Sequence, residues 1–287
     1  MPIHTHKSDE AERSETPPPV NKRVEEKQIQ ERVAIGAHVV HETIRREGEQ
    51  ELGRASSALA WSGIAAGLSM GFSLVAEGLL EAYLLRAFWT PLISKLGYSV
   101  GFLIVVLGRQ QLYTETTLTA VLPLLSRRNV KTAMSVLRLW AVVLGANLIG
   151  TYAFALCIGK TSIFAAQIQQ ALVDVSHGGA EGSFGIIFLR AVFAGWLIAL
   201  MVWLLPAAES AKVSIIIILT YLIGLGGFNH VIAGSVKQLF LVVLHDESWG
   251  VFWGRFFLPT LAGNIAGGVS LVAFLGHAQV VSGKNED

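Results

Sequence analysis

The chain cannot form an intrachain disulfide, because its 287 residues include a single cysteine, Cys157. That cysteine lies in an apolar run and is interpreted as a small core residue. Charge is also scarce, at 15% of residues, and only 23 of the 43 charged residues follow Arg54. Most of the chain therefore lacks the charged surface of a soluble domain.

Several function classes lack their motifs here. No basic tract resembles a nucleic-acid footprint and the formal net charge is +1, so no nucleic-acid partner is expected. There is no phosphate-cradling loop, clustered metal-ligand motif or plausible catalytic triad, so we expect neither an enzyme nor a cofactor or metal. No secretory signal precedes the first apolar run, which predicts that the N-terminus stays in the cytoplasm.

Apolar residues are abundant instead, at 52% of the chain, and the mean hydropathy is +0.53. This composition predicts an all-α, polytopic membrane protein. Six apolar segments, each long enough to cross a bilayer, cover about residues 58–83, 98–125, 136–158, 184–205, 213–244 and 251–275. The loop after the second carries Arg127, Arg128 and Lys131, which the positive-inside rule places in the cytoplasm. With six crossings, both termini are then cytoplasmic.

The regions outside these segments differ in character. Residues 1–20 are predicted to be a disordered cytoplasmic tail, and residues 21–54 a charged amphipathic helix with an apolar stripe that includes Val33, Val40 and Ile44. This stripe fits three placements: on the membrane surface, beneath the membrane domain, or against a neighbouring subunit. Residues 55–278 form the predicted membrane domain, and residues 279–287 a cytoplasmic tail.

The fifth segment contains an ionisable side chain beside a predicted helix break. Its length, about 32 residues, exceeds the roughly 20 that a straight crossing needs. The excess predicts a break at Gly226-Gly227, three residues before His230. Non-helical backbone at membrane depth survives only when it is buried in protein or lines a watery cavity. An intramembrane histidine at such a place is a candidate pore group.

The two halves of the chain repeat this arrangement. The second segment is interrupted from Gly108, and an Asn-x-x-Gly motif follows each break, at Asn147 and at Asn264. Gly108 precedes Asn147 by 39 residues, and Gly227 precedes Asn264 by 37. Three crossings in each half predict an inverted repeat, with the substrate path where the two broken helices meet.

Four stretches together resemble the formate/nitrite transporter family, and within it the YfdC-like subgroup. They are Gly227-Phe228-Asn229-His230, the run from Gly108 through Thr114, Phe188-Leu-Arg190, and Gly263-Asn264-Ile-Ala-Gly267. The resemblance covers about residues 35–278. It implies an aquaporin-like fold of six transmembrane helices in two inverted three-helix repeats, with helices 2 and 5 broken. It also implies a homopentamer in the bacterial inner membrane, in contact with lipid, with one pore per subunit for small monovalent anions such as formate or nitrite.

The resemblance also implies pore roles for particular residues. His230 matches the central pore histidine, and Thr114 matches the threonine of the broken second helix. Further pore candidates are Leu112, Tyr113, Ile223, Phe228 and Asn229. Lys237 is a candidate from spacing, because it follows His230 by seven residues, two helical turns.

This chain departs from the family pattern at several positions. Gln111 stands where a glutamate is usual, and Gly195 and Gly234 stand where asparagines are common. The outer loop at residues 176–181 lacks the lysine often found near the pore mouth. These departures weaken the case for formate or nitrite in particular.

A small anion pays a large desolvation penalty in an apolar constriction, so transport needs a compensating charge or a proton. The sequence hypothesis is that His230, helped by Thr114 and by half-helix N-termini, lets a weak acid cross together with its proton. Two alternatives remain open: a pore for water or neutral solutes, and a membrane scaffold that transports nothing.

Other charges near these segments are interpreted as structural. Glu77 and Glu81 are expected to form ion pairs at a helix end, with Arg86 just beyond them. Arg109 and Glu115 flank the first break and are expected to pair, because a buried charge must be compensated.

Overall fold

The computed structural model describes residues 36–271, and every regular element in that range is helical. An all-α fold was the prediction. The predicted tails at 1–20 and 279–287, the first part of the amphipathic helix and the last residues of the membrane domain lie outside the described residues.

The α-helices of this part of the chain are, in order, α1 Ala37–Gly53, α2 Ser56–Tyr83, α3 Thr90–Ser94, α4 Ser99–Leu107, α5 Tyr113–Thr119, α6 Val121–Arg127, α7 Val130–Lys160, α8 Ala166–Ser176, α9 Phe184–Leu204, α10 Lys212–Leu225, α11 Val231–Val243 and α12 Leu258–Leu271. Short 3₁₀ turns lie at Lys95–Tyr98, Leu205–Ala207 and Glu209–Ala211, and a π-helical stretch, Val251–Phe257, precedes α12.

Within residues 36–271, four helical stretches are long and apolar enough to cross a membrane: Ser56–Tyr83, Thr90–Leu107, Val130–Lys160 and Phe184–Ala207. The helix Val231–Val243 is apolar but shorter. The second stretch begins at Thr90, earlier than the hydropathy pattern placed it, because Pro91 is favourable in a first helical turn.

Glycines bring the helices together in two tight pairs, α2 with α7 and α9 with α12. A side-chain carbon at Gly67 would overlap the backbone of α7 at Asn147 and Gly150. In the second pair, a carbon at Gly195 would overlap the backbone of Asn264, and one at Gly267 would overlap α9. Close backbone approach through small residues is the usual way membrane helices pack.

The amphipathic helix α1 packs on the apolar helices of its own chain. Val40 and Ile44, two residues of its apolar stripe, are buried in a cluster with Leu118, Leu122 and Trp203. The charged side of α1 is fastened as well, because Arg127 donates to Glu49 at 2.8 Å. The sequence left three placements open for the apolar stripe, and the structure shows it packed against helices of the same chain.

The segment between α7 and α9 holds a helix that hydropathy alone did not indicate. In α8, Leu172 packs against Gly78 of α2, where a longer side chain would not fit. The loop that follows turns at Gly178 and Gly182, whose φ angles are +95° and +112°. Arg86, expected near an ion-paired helix end, pairs with Asp174 of α8 at 3.5 Å.

Candidate functional site

The first helix interruption separates α4 from α5. Gly108 N–H donates to Ile104 O at 2.9 Å, and Gln110 N–H donates to Val105 O at 3.0 Å, so the last turn of α4 closes on itself. Arg109 between them has a φ of +50°. This left-handed conformation turns the chain out of the helix, and α5 begins at Tyr113 after the extended residue Leu112.

The second interruption, between α10 and α11, has the same backbone geometry 118 positions later. Gly226 N–H donates to Leu222 O at 2.9 Å, and Phe228 N–H donates to Ile223 O at 3.0 Å. Gly227, with a φ of +62°, takes the place of Arg109. The hydrogen bonds therefore match Gly108 with Gly226, whereas the sequence comparison of the two halves had matched Gly108 with Gly227. His230 matches Leu112.

A buried asparagine holds the first interruption in place. The Asn147 carbonyl accepts from Tyr113 N–H at 2.9 Å, which satisfies a free N–H at the start of α5. Its amide nitrogen donates to Gln111 O at 2.9 Å and to Gly63 O of α2 at 2.8 Å. One side chain thus supplies partners for non-helical backbone that has no other partner in a bilayer.

Asn264 does the same for the second interruption. Its carbonyl accepts from Val231 N–H at 2.8 Å, and its amide nitrogen donates to Asn229 O and to Ala191 O of α9, each at 2.8 Å. Both asparagines are fully buried. The Asn-x-x-Gly motif therefore combines the amide that supports a break with small residues that admit the neighbouring helix.

The two interruptions meet through one side-chain hydrogen bond. Thr114 Oγ1 lies 2.8 Å from His230 Nε2, although the two residues are 116 positions apart, and both side chains are buried. His230 is also the N-cap of α11, where its Nδ1 accepts from Ala233 N–H at 3.1 Å. Because Nδ1 accepts, the proton of a neutral ring lies on Nε2, and His230 donates to Thr114.

The remaining sequence candidates are distributed around this pair. Leu112 and Ile223 are fully buried, and the Tyr113 ring packs edge-on against Trp140. Phe228 stacks on Phe193 with ring centroids 5.2 Å apart.

Two further candidates have polar partners away from the histidine. Asn229 donates to Gly179 O at 2.6 Å, which ties the second interruption to the loop after α8. Lys237 is bound to Glu77 of α2 at 2.6 Å. The expected pairing of Arg109 with Glu115 is wrong, because Arg109 is exposed and makes no ion pair within the described range.

Two aromatic residues next to the histidine were not singled out from sequence. The Phe102 ring lies edge-on to His230, with centroids 5.0 Å apart, and the Tyr98 ring lies 5.4 Å from Phe102. Both rings face the core from the helical segment that leads to the first interruption. Their four-residue spacing places them on one side of that segment and is the signal that would have found them.

A family model for the formate/nitrite transporter matches residues 38–278, which is most of the chain. The chain belongs to the formate/nitrite transporter family. The family indicated by the sequence motifs is thereby confirmed, and it is a family of transporters and channels.

Named relatives agree with this family assignment. The chain is 43% identical over 251 residues to the inner membrane protein YfdC of Escherichia coli K12, covering 88% of this chain and 81% of the relative. It is 26% identical over 192 residues to the formate channel BtFdhC of Bacillus thuringiensis, covering 65% of this chain and 73% of that protein.

Solved structures of the family have the same fold. One is described as a pentameric formate channel with formate bound; it superposes with a TM-score of 0.68 at 22% identity, over 79% of this chain and 98% of its own. Another, described as an FNT family ion channel, superposes with a TM-score of 0.73 at 17% identity, over 85% and 99% of the two chains.

Two of the departures from the family pattern have a packing reason. Gly195 lies against the backbone of Asn264, so a side chain there would push α9 away from α12. Gly234 lies under the Phe256 ring, which occupies the space that a larger residue would need. At positions 195 and 234, close packing contacts thus stand where the family pattern has amide side chains. Asn147 and Asn264 remain as the amides that support the two interruptions.

The third departure links the first interruption to α1. Gln111 donates to Glu51 Oε1 at 3.2 Å, and Thr119 donates to Glu51 Oε2 at 2.7 Å. Loss of water around Glu51 raises the pKa of this carboxyl, and the charge of Glu47 raises it further; the two hydrogen bonds and Arg54 act in the opposite direction. A carboxyl group from another helix, that of Glu51, thus lies next to Gln111.

This environment makes the docking of α1 depend on pH. Because the pKa of the Glu51 carboxyl is higher in the docked state than in the undocked state, protonation of this carboxyl favours docking. This contribution is fully present below pH 4.5, the ordinary pKa, and is lost as the pH rises through the raised pKa. We expect hydrogen-exchange protection of α1, corrected for intrinsic rates, to decrease with rising pH in the native chain. Glu51→Gln should remain docked across the range.

Glu42→Gln is the matched control for this prediction. The guanidinium groups of Arg45 and Arg46 lower the pKa of Glu42 to about 2, so this residue stays ionised over the pH range of the experiment. Its replacement should leave the pH profile of α1 unchanged. A Glu51→Gln profile identical to that of the native chain would show that another group controls docking.

Proposed function

We propose that this chain is one subunit of a membrane channel that passes small monovalent anions of weak acids together with a proton. The observation that carries the proposal is the hydrogen bond between Thr114 and His230, which joins two helix interruptions in the interior of the chain. Membership of the formate/nitrite transporter family supports the solute class. A formate channel among the relatives and one among the similar structures support it further.

The proposed membrane topology has six crossings. The four long apolar stretches supply the first four, Lys212–Val243 with its interruption supplies the fifth, and Val251–Leu271 supplies the sixth. The matching hydrogen bonds of the two interruptions support two repeats, and three crossings in each make the repeats inverted. In this topology both termini lie in the cytoplasm of a bacterial inner membrane.

We further propose a homopentamer with one passage per subunit. The pentameric formate channel of similar fold supports this assembly. Large apolar side chains on the outside of the subunit, such as Trp61, Leu189 and Ile218, each more than half exposed, would face lipid or a neighbouring subunit.

The chemistry of the passage follows from the two nitrogen atoms of His230. A second proton on Nδ1 would remove the bond from Ala233 N–H and place a positive charge at the positive end of the α11 dipole. Both effects favour the neutral ring in an empty passage. An anion beside the ring offsets the second effect, so anion and proton bind together and cross as a nearly neutral pair. Thr114 offers the anion a hydroxyl next to Nε2.

A flux assay on purified protein in liposomes tests the proposal. We expect saturable uptake of formate and other small weak-acid anions that is faster at pH 5.5 than at pH 7.5, because the second substrate is the proton. Urea and glycerol should not cross. Rapid pH-independent swelling in a urea gradient would replace the proposal with a neutral-solute pore, and impermeability to all solutes would favour a scaffold.

A further inference from the structure

Away from His230, the membrane domain contains a cluster of buried charge. Glu77 of α2 is fully buried, and each of its carboxylate oxygens is bound by a different lysine. Oε2 accepts from Lys237 of α11 at 2.6 Å, and Oε1 accepts from Lys95. Gly97 permits this arrangement, because its lack of a side chain lets the turn that carries Lys95 touch the backbone of Glu77.

The charges in this cluster do not balance. Two ammonium groups share one carboxylate, and no other acidic side chain within residues 36–271 pairs with either lysine. With both lysines protonated, the cluster carries one excess positive charge inside an apolar domain. An uncompensated buried charge is costly, so the cluster is suited to take up an anion.

The cluster is open on the side of the lysines. The side chains of Lys95 and Lys237 are 25% and 15% exposed, whereas that of Glu77 is 0% exposed. The carboxylate thus lies behind the two ammonium groups. Each ammonium has three N–H donors and uses one of them on Glu77, which leaves donors for a ligand.

Aromatic rings connect the cluster with His230. Lys237 Nζ lies 5.5 Å from the centroid of the Tyr98 ring, a cation–π contact. From Tyr98 the rings continue through Phe102 to His230 at centroid distances of 5.4 and 5.0 Å. Along α11, Lys237 and His230 are two turns apart, about 10 Å.

We propose that Lys95 and Lys237 form a binding site for a small monovalent oxyanion or carboxylate, with Glu77 holding the two ammonium groups in position. The inference rests on the proposed function, because it makes this cluster the place where the anion is held before it reaches His230. The proposed site adds Lys95 as a second cation beside Lys237. The two lysines would take the place of the pore-mouth lysine that the loop after α8 lacks in this chain.

Binding is tested without transport, by the thermal unfolding of the purified protein in detergent. Sodium formate is titrated at constant ionic strength against sodium gluconate, whose anion is much larger than formate. A ligand of the folded state raises the unfolding midpoint in a saturable way. We expect Lys95→Gln and Lys237→Gln each to raise the half-saturating formate concentration by about tenfold to hundredfold, as for the loss of a charged hydrogen bond.

Two further variants separate charge from structure. Glu77→Gln adds one positive charge to the cluster and should lower the half-saturating concentration. The double variant Glu77→Gln/Lys95→Gln keeps a single excess charge on Lys237 and should retain formate-dependent stabilisation even if the first variant does not fold. Lys131→Gln, at an exposed lysine in the first turn of α7, is the matched control and should behave as the native chain.

The outcomes separate this inference from the proposed function. If both lysine variants lower the midpoint but keep its formate dependence, or if native protein shows no saturable shift, the binding site is refuted. Flux that depends on His230, with an unchanged half-saturating concentration in both lysine variants, would refute the site and leave the proposed function intact. Lysine-dependent binding without any flux would support the site and refute the function.

Discussion

Replacing His230 by Asn is expected to reduce formate flux at least about a hundredfold while the protein stays folded. Asparagine is a favourable N-cap, so its side-chain oxygen can still accept from Ala233 N–H. It has no titratable ring and cannot present Nε2–H to Thr114. An unassisted ion in an apolar passage pays several kcal/mol, and each 1.4 kcal/mol is about tenfold in rate. Flux into liposomes and the unfolding midpoint are measured together.

Two companion variants sharpen this experiment. His230→Phe removes the cap as well as the proton site, so it should lose flux and in addition about 1 kcal/mol of stability. Thr114→Val keeps the histidine and its cap, and should reduce flux less than either histidine variant. Native-like flux in His230→Asn, with the native pH dependence, would show that the ring does not handle the proton.

Replacing Asn264 or Asn147 by Leu is expected to destabilise the protein strongly, and to a similar degree. Each substitution keeps the side-chain volume but removes three hydrogen bonds. It leaves one backbone N–H and one non-helical C=O, that of Gln111 or Asn229, unpaired, whereas Gly63 and Ala191 lie within helices. A buried unpaired group costs about 1–3 kcal/mol in soluble proteins, and measured side-chain hydrogen bonds in a membrane protein average roughly 0.6 kcal/mol. Two unpaired groups and one further lost bond therefore cost about 2–7 kcal/mol. The unfolding midpoint and the yield of assembled protein report the loss.

Asn129→Ala provides the control for this pair. Asn129 caps α7 by accepting from Thr132 N–H at 2.8 Å, outside the two interruptions, and its loss should cost about 1 kcal/mol. The informative comparison is between Asn147→Leu and Asn264→Leu, which are expected to lose similar amounts of stability. If Asn147→Leu were unstable and Asn264→Leu fully native, the two interruptions would not be equivalent supports.

The sequence predicted the interruptions because they leave local signals. Excess segment length, adjacent glycines and a following Asn-x-x-Gly can be read without a partner helix. The bond between Thr114 and His230 depends on how the two halves pack, and residues 116 positions apart carry no local sign of contact. It was anticipated through family resemblance.

Residues of the charge cluster show the limit of local reading. Glu77 lies four residues before Glu81, and this position predicted ion pairs at a helix end without naming the partners. Its actual partners, Lys95 and Lys237, come from two other elements and are set by packing. The pairing of Arg109 with Glu115 was predicted from proximity and from the need to compensate a buried charge. It fails because Arg109 lies in a left-handed turn and is exposed.

The ratio of protons to anions tests the central claim most directly. Liposomes containing the purified protein and an internal pH dye are mixed with formate, and anion uptake and internal pH are followed together at two membrane potentials. We predict that one proton enters with each formate and that the flux does not change with the membrane potential. Formate uptake that follows the membrane potential and leaves the internal pH unchanged would contradict it.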